Sequence, residues 1–148
     1  MSTHVTTQTD IERFFADELA FYRELFFLTD KQRDMLENGN ESSLGDVYEE
    51  IARVQARIES SEARLREAQG QSPQQFAQWL QTPQVANTVE NIAELVSRTK
   101  EVVNDCARIA AYKRARYQRE LAQMGAGRLL INGMAPEREE PLFFDQRP

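Results

Sequence analysis

The sequence is short of the residues from which most catalytic and metal sites are built. It contains one cysteine, Cys106, and one histidine, His4. A single cysteine cannot form an internal disulfide, which fits a reducing compartment. One cysteine and one histidine supply neither a zinc site nor a recognisable pair of nucleophile and base. The Glu-x-x-His motif of di-iron bundles is missing too. The sequence therefore predicts no enzyme, no metal site and no cofactor.

Long apolar runs are also missing. The sequence has no uninterrupted apolar stretch of about 18 residues, the length that a membrane-spanning helix needs. Its first ten residues, MSTHVTTQTD, lack the basic region and apolar run of a secretory signal. We therefore expect a cytoplasmic protein without a membrane span.

The composition is that of a folded acidic protein. The chain has 148 residues, of which 41% are hydrophobic and 28% are charged, and a net charge of −6. This length favours one domain, and this composition favours a globular or coiled-coil protein over a disordered one. The acidic balance argues against a general binder of polyanions, so we expect no nucleic-acid partner.

The stretch from Ile11 to Leu36 carries two apolar rows at helical spacing. It also holds five of the eight phenylalanines. A surface helix needs only one apolar stripe, so two rows favour a helix packed between two neighbours, or one that keeps a face for a partner. We interpret this helix as the spine of a bundle. The first row is Ile11, Phe14, Glu18, Phe21, Leu25, Leu28, Gln32 and Met35; the second is Phe15, Leu19, Tyr22, Phe26, Thr29, Arg33 and Leu36.

Apolar periodicity and cap residues predict four helices, at about 10–37, 43–69, 73–81 and 83–124. Thr9 is expected to cap the first helix, and Gly39 to end it in a left-handed conformation. The short third helix begins at Ser72-Pro73 and places Phe76, Trp79 and Leu80 on one side, as a plug over one end of a bundle would.

The predicted fold class is all-α. We expect an antiparallel three-helix bundle or coiled coil over residues 10–124, with the short plug helix. Residues 1–9 are predicted to be a frayed N-terminus, and residues 125–148 an irregular tail after the helix breaker Gly125-Ala-Gly127.

The last predicted helix has one long apolar row and a shorter one beside it. Lys113 and Glu120 weaken the last third of the long row. At 1.5 Å per residue, this helix is about 20 Å longer than the first two, so its end is expected to pack on the tail, on another copy or on a partner. The shorter row is Leu95, Val102 and Ile109. The long row is Val85, Val89, Ile92, Val96, Thr99, Val103, Cys106, Ala110, Lys113, Tyr117, Glu120 and Met124.

Residues 108–119 contain five basic residues, two tyrosines and no acidic residue. One interpretation is a nucleic-acid-binding face made of Arg108, Tyr112, Arg116 and Arg119. The other is a solvated helix end, in which cations complement the helix dipole, or a surface for an acidic partner. The acidic chain favours the second interpretation.

The tail carries two apolar clusters that a purely solvated tail would seldom contain. They are Leu129-Leu130-Ile131 and Leu142-Phe143-Phe144, separated by a charged and proline-containing spacer. They are expected either to pack on the bundle or to serve as a docking element.

Residues 19–40, LAFYRELFFLTDKQRDMLENGN, resemble the opening of the FlgN-like flagellar export chaperones. In that family, a helix with a Glu-Leu pair and a following Arg-x-x-Leu ends at a Gly-Asp or Gly-Asn turn. A second heptad helix with an Arg-rich end follows, as residues 51–66 do here, and then a long helix and an apolar tail. The resemblance covers roughly residues 10–125. Trp79 and the Ser72-Pro73 plug depart from the family pattern.

The resemblance implies binding to hook–filament junction proteins before their secretion, through the C-terminal part of the chaperone. On this chain, that part holds the candidate partner-binding residues. The alternative is a structural coiled-coil adaptor or homodimer without an export client. The candidates are Ile109, Tyr112, Tyr117, Leu121, Leu129, Leu130, Ile131, Phe143 and Phe144.

Overall fold

The computed structural model describes residues 7–128, and every regular element among them is helical. The helices are α1 (Gln8–Asn38), α2 (Leu44–Gln71), α3 (Pro73–Leu80) and α4 (Pro83–Arg128), with a 3₁₀ turn at Glu41–Ser43 before α2. The predicted all-α fold class is confirmed. The predictions for residues 1–6 and 129–148 lie outside the described residues.

The chain divides into two units, one up to Val103 and one from Asn104 onward. The first unit holds α1, α2, α3 and the beginning of α4. The described part of the second unit is the remainder of α4.

The ends of α1 are set by a threonine cap and a glycine. Thr7, not the predicted Thr9, is the N-cap: its hydroxyl oxygen accepts a hydrogen bond from the backbone N–H of Asp10, at 3.1 Å. The sequence offers threonines with similar capping ability at both positions. Gly39 ends the helix as predicted, with φ of 74° and its N–H donated to the carbonyl of Met35.

The last helix continues past the glycines that were expected to stop it, through Gly125 and Gly127 to Arg128. The second helix ends at Gln71, close to its predicted end, and includes Gly70. A glycine inside a helix costs only about 1 kcal/mol relative to alanine, so it does not by itself end one. Pro73 does open α3 at its first position, as expected.

Pairs of side chains show that α1 and α2 are antiparallel. Tyr22 donates a hydrogen bond to Glu62, at 2.8 Å, and Gln32 donates one to the hydroxyl of Tyr48, at 2.9 Å. The residue that comes later in α1 pairs with the residue that comes earlier in α2, so the two helices run in opposite directions.

The first part of α4 runs parallel to α1. Val85, near the start of α4, packs in one cluster with Ile11, and the guanidinium of Arg98 lies 5.3 Å from the ring centroid of Phe26. The three long helices of the first unit thus alternate in direction, as the sequence predicts for a three-helix bundle.

Both apolar rows of α1 are covered, which is why this helix acts as the spine of the first unit. Every residue of the two rows is buried or half-buried. Leu28 packs with Val54 and Ile58 of α2. Three arginines also lie over α1 phenylalanines, within 6 Å of the ring centroids. The pairs are Arg57 on Phe21, Arg64 on Phe14 and Arg98 on Phe26.

The short helix α3 closes one end of the core. Phe76 and Trp79 are buried in a cluster with Ile11 of α1, Val85 of α4 and two residues of α2. This arrangement confirms the plug that the spacing of Phe76 and Trp79 predicts.

The adjacent residues Phe27 and Leu28 give a matched test of the spine. Leu28 is buried against α2, whereas Phe27 is 64% exposed. We expect Leu28→Ala to lower the free energy of unfolding by about 2–5 kcal/mol. Phe27→Ala should change it by less than about 0.5 kcal/mol, although it removes the larger side chain. Urea unfolding followed by circular dichroism measures both, and equal losses would contradict the packing of α1.

Candidate functional site

The C-terminal part of α4 presents an apolar face that the described residues leave uncovered. Tyr117, Leu121 and Met124 lie on one side of the helix, because residues four and seven positions apart share a face. Each is between 49% and 59% exposed. We call these three residues the terminal face.

The four candidate residues on α4 do not form one surface. Tyr117 and Leu121 belong to the terminal face. Tyr112 is exposed but lies five residues before Tyr117, which turns it about 140° around the helix. Ile109 is half-buried. Met124 shares the face with Tyr117 but was not among the candidates; its position seven residues after Tyr117 was the signal for it. The candidates Leu129, Leu130, Ile131, Phe143 and Phe144 lie outside the described residues.

The other side of α4 is basic. Arg108, Tyr112, Arg116 and Arg119 follow one another at helical spacing, and all four are exposed. Arg108 pairs with Asp105, and Arg116 lies 3.7 Å from Glu120. Residues 104–128 hold six basic and two acidic residues, in a chain with a net charge of −6. This part of α4 is thus the basic region of an acidic protein.

The helix dipole does not account for these cations. Because α4 continues to Arg128, Arg119 lies more than two turns before the end, and Arg108 lies much further. The dipole acts within about the last turn. The interaction with the dipole that was expected for these cations is therefore not available to Arg108 or Arg119, while the solvated surface and the acidic partner stay predictions.

A second group of polar residues lies inside the first unit. Glu18 of α1 is only 4% exposed, and Tyr22 donates its hydrogen bond to Glu62 nearby. The pKa of Glu18 is raised from 4.5 to about 7, first because burial disfavours the charged carboxylate and second because the Glu62 carboxylate repels it. Burial and the hydrogen bond to Glu62 also raise the pKa of Tyr22. Ser61 is buried as well, and its hydroxyl has no hydrogen-bond partner among the described residues.

Because its pKa is raised to about 7, the buried carboxyl of Glu18 keeps its proton at a pH at which an exposed glutamate has lost it. A carboxyl with a pKa near 7 has the proton affinity of a general acid or base. Because Glu18 is so deeply buried, we expect its proton to act on the stability of the helix pair and not on a bound substrate. Within residues 7–128, no three His, Cys, Asp or Glu side chains are grouped to hold a metal ion.

Cys106 is buried, as its place in the long apolar row predicts. None of the helices in residues 7–128 combines the length and the apolar character required to cross a bilayer.

The terminal face is the feature of the described chain with the clearest capacity to bind another molecule, because exposed apolar side chains grouped on one face mark interaction surfaces.

The raised pKa of Glu18 predicts a stability that falls as the pH rises. Between pH 4.5 and about 7, the folded chain binds a proton at Glu18 that the unfolded chain has lost. Folding is therefore favoured at the acidic end of this window, and that stability is lost as the pH rises through 7. We expect Glu18→Gln to match the wild type near pH 4.5 and to be more stable at pH 8, by on the order of 2–3 kcal/mol.

Urea unfolding at the two pH values measures this difference. Asp17→Asn removes an exposed carboxylate from the neighbouring position and serves as the control. A Glu18→Gln variant whose advantage is the same at both pH values would contradict the buried proton.

Comparison with known proteins identifies no relative of this chain. The resemblance of residues 19–40 to the FlgN-like chaperones stays a sequence-based expectation. No protein-family model, curated protein or solved structure matches the chain.

Proposed function

We propose that this protein is a flagellar export chaperone of the FlgN-like type, acting in the cytoplasm. It binds an amphipathic helical segment of a hook–filament junction protein and keeps that segment from associating wrongly before export. The chaperone contributes an apolar helix face in place of the one that the client meets in its final assembly. This is helix-in-groove or helix-on-helix recognition, which requires anchors at helical spacing and no catalytic group.

The observation that carries this proposal is the exposure of the terminal face. Tyr117, Leu121 and Met124 are three large apolar side chains, each about half exposed, on one side of a regular helix. Such a row is the complement of an amphipathic client helix with anchors at the same spacing. Tyrosine is also enriched among the residues that dominate the binding energy of protein interfaces.

The charge of this region supports the proposal further. Residues 104–128 are basic in an otherwise acidic chain. Basic residues on the opposite side of the same helix still attract an acidic client at long range, which accelerates the encounter and disfavours partners that are basic. We therefore expect the client segment to be acidic.

A homodimer or adaptor without a client is the alternative function, because the same exposed face could pair with a second copy. The two functions differ in an observable way. An adaptor of this kind is a dimer in the absence of any other protein, whereas a chaperone forms a complex with its client. Sedimentation equilibrium of the purified chain, alone and with the client, separates them.

Substitutions on the terminal face test the proposal directly. We expect Tyr117→Ala and Leu121→Ala each to weaken binding of a purified hook–filament junction protein from the same organism at least tenfold, because a buried interface anchor contributes on the order of 1–2 kcal/mol or more. Isothermal titration calorimetry measures the affinity. Phe27→Ala, which removes an exposed aromatic ring from α1, is the control and should bind normally. Unchanged affinity in both α4 variants would contradict a role for this face.

The apolar clusters of the tail are tested separately. The sequence suggests Phe143 and Phe144 as client contacts. We expect the double variant Phe143→Ala/Phe144→Ala to keep the helical circular dichroism and the urea midpoint of the wild type while its client affinity falls. An unchanged affinity would exclude these two residues from the binding surface and leave the terminal face as the candidate.

A further inference from the structure

The terminal face is the end of a much longer exposed stripe on α4. Every seventh residue from Val89 to Met124 is apolar. A second row, three residues earlier at each step, begins at Ala86 and ends at Leu121. The two rows alternate at spacings of three and four, the pattern of a coiled-coil interface. Together they form what we call the exposed seam: Ala86, Val89, Ala93, Val96, Lys100, Val103, Ala107, Ala110, Arg114, Tyr117, Leu121 and Met124.

This stripe is distinct from the face that α4 buries. Val85, Thr99, Val102 and Cys106 are buried. In the exposed seam, by contrast, ten side chains are exposed and the other two, Val96 and Ala110, are half-buried. Because α4 is one uninterrupted helix, the seam follows from helical periodicity along its whole length. Four of its twelve residues are alanines, which let another helix approach closely.

A shallow depression marks the N-terminal end of the seam. It is lined by Ala86 and Val89 of the seam, together with Pro83, Asn87 and Glu90. A depression beside small seam residues can receive a side chain from a facing helix, as a hole receives a knob in a coiled coil.

Two cations interrupt the apolar seam. Lys100 and Arg114 lie 14 residues apart, two heptads along the same row of α4. Both are exposed, and no carboxylate among the described residues forms an ion pair with either. A charge in a helix–helix seam is costly when an apolar side chain covers it, and it selects a partner that places the opposite charge across from it.

A second copy of this chain does not supply that charge. In a parallel pair in register, each Lys100 faces Lys100 and each Arg114 faces Arg114. In an antiparallel pair centred between them, Lys100 faces Arg114. Both arrangements oppose like charges, which disfavours self-association through this seam.

We propose that the exposed seam binds an amphipathic helix of another protein, one that carries Asp or Glu at two seam positions 14 residues apart. This inference rests on the proposed chaperone function and specifies the chemistry of the client segment. The apolar seam residues give the affinity, and the two ion pairs fix which segment binds and in which register.

Two synthetic helical peptides test the inference. Both have a leucine seam of six heptads; one has Glu at two seam positions 14 residues apart, and the other has Lys at the same positions. We expect the wild-type chain to bind the Glu peptide at least tenfold more tightly, as measured by fluorescence anisotropy. The double variant Lys100→Glu/Arg114→Glu should reverse this preference. Arg53→Glu/Arg66→Glu, which makes the same change in charge on exposed positions of α2, should keep it. Circular dichroism checks that each variant is folded.

Three outcomes would overturn the inference. Equal binding of the two peptides by the wild type would mean that Lys100 and Arg114 select nothing. A wild-type dimer in sedimentation equilibrium that Val103→Glu disperses would mean that a second copy covers the seam. Peptide binding that appears only after removal of residues 129–148 would mean that the tail of this chain covers it.

The client experiment separates this inference from the proposed function. If the junction protein binds and depends on Tyr117 while the peptides show no charge preference, the chaperone function stands and the charge selection is wrong. If the Glu peptide binds selectively and the junction protein does not bind, the seam selects an acidic helix but the proposed client is wrong.

Discussion

The structure depends on covering one helix from two sides. Helix α1 carries apolar residues over too wide an arc for a single neighbour to bury, and every member of its two rows is buried or half-buried. One side is covered by α2, through clusters such as Leu28 with Val54 and Ile58. The beginning of α4 also contacts α1: Val85 packs in the cluster that contains Ile11, and Arg98 lies over the ring of Phe26. Since α1 uses both of its apolar faces for stability, an apolar surface for a partner has to come from another helix.

The polar residues of the core decide how the helices align. Apolar contacts tolerate a shift of one helix along another, whereas a hydrogen bond does not, because a buried donor without an acceptor is costly. The bonds from Tyr22 to Glu62 and from Gln32 to Tyr48 fix α1 against α2 at two levels. The same arrangement places the carboxyl of Glu18 near the carboxylate of Glu62, and the repulsion between two charged groups there destabilises the fold. Protonation of Glu18 reduces this repulsion near neutral pH.

Much of the fold follows from the sequence, since apolar spacing and glycine and proline positions are local signals. The two rows of α1, the left-handed Gly39 and the plug with Trp79 were predictable for this reason. The face that α4 buries was not. Its long row alternates between residues that are buried, such as Cys106, and residues that are exposed, such as Val103. Helical periodicity is satisfied whether α4 buries the side that contains Cys106 or the side that contains Val103. Only the positions of the neighbouring helices decide which side is buried. The same ambiguity hid the exposed seam, because half of its residues were grouped with Thr99 and Cys106 in one apolar row.

The seven-residue repeat of the exposed seam has a geometric consequence. A straight α-helix has 3.6 residues per turn, so a row that repeats every seven residues drifts by about 20° per heptad. Over the five heptads from Val89 to Met124, the row turns by roughly 100° around α4. A straight, rigid helix would therefore lose contact with this row along its length. A helix that follows it to the end must wind around α4 with a left-handed supercoil. A helix that covers the whole seam is therefore one that can bend along its length, because a helix held straight by its own fold would leave the outer seam residues exposed.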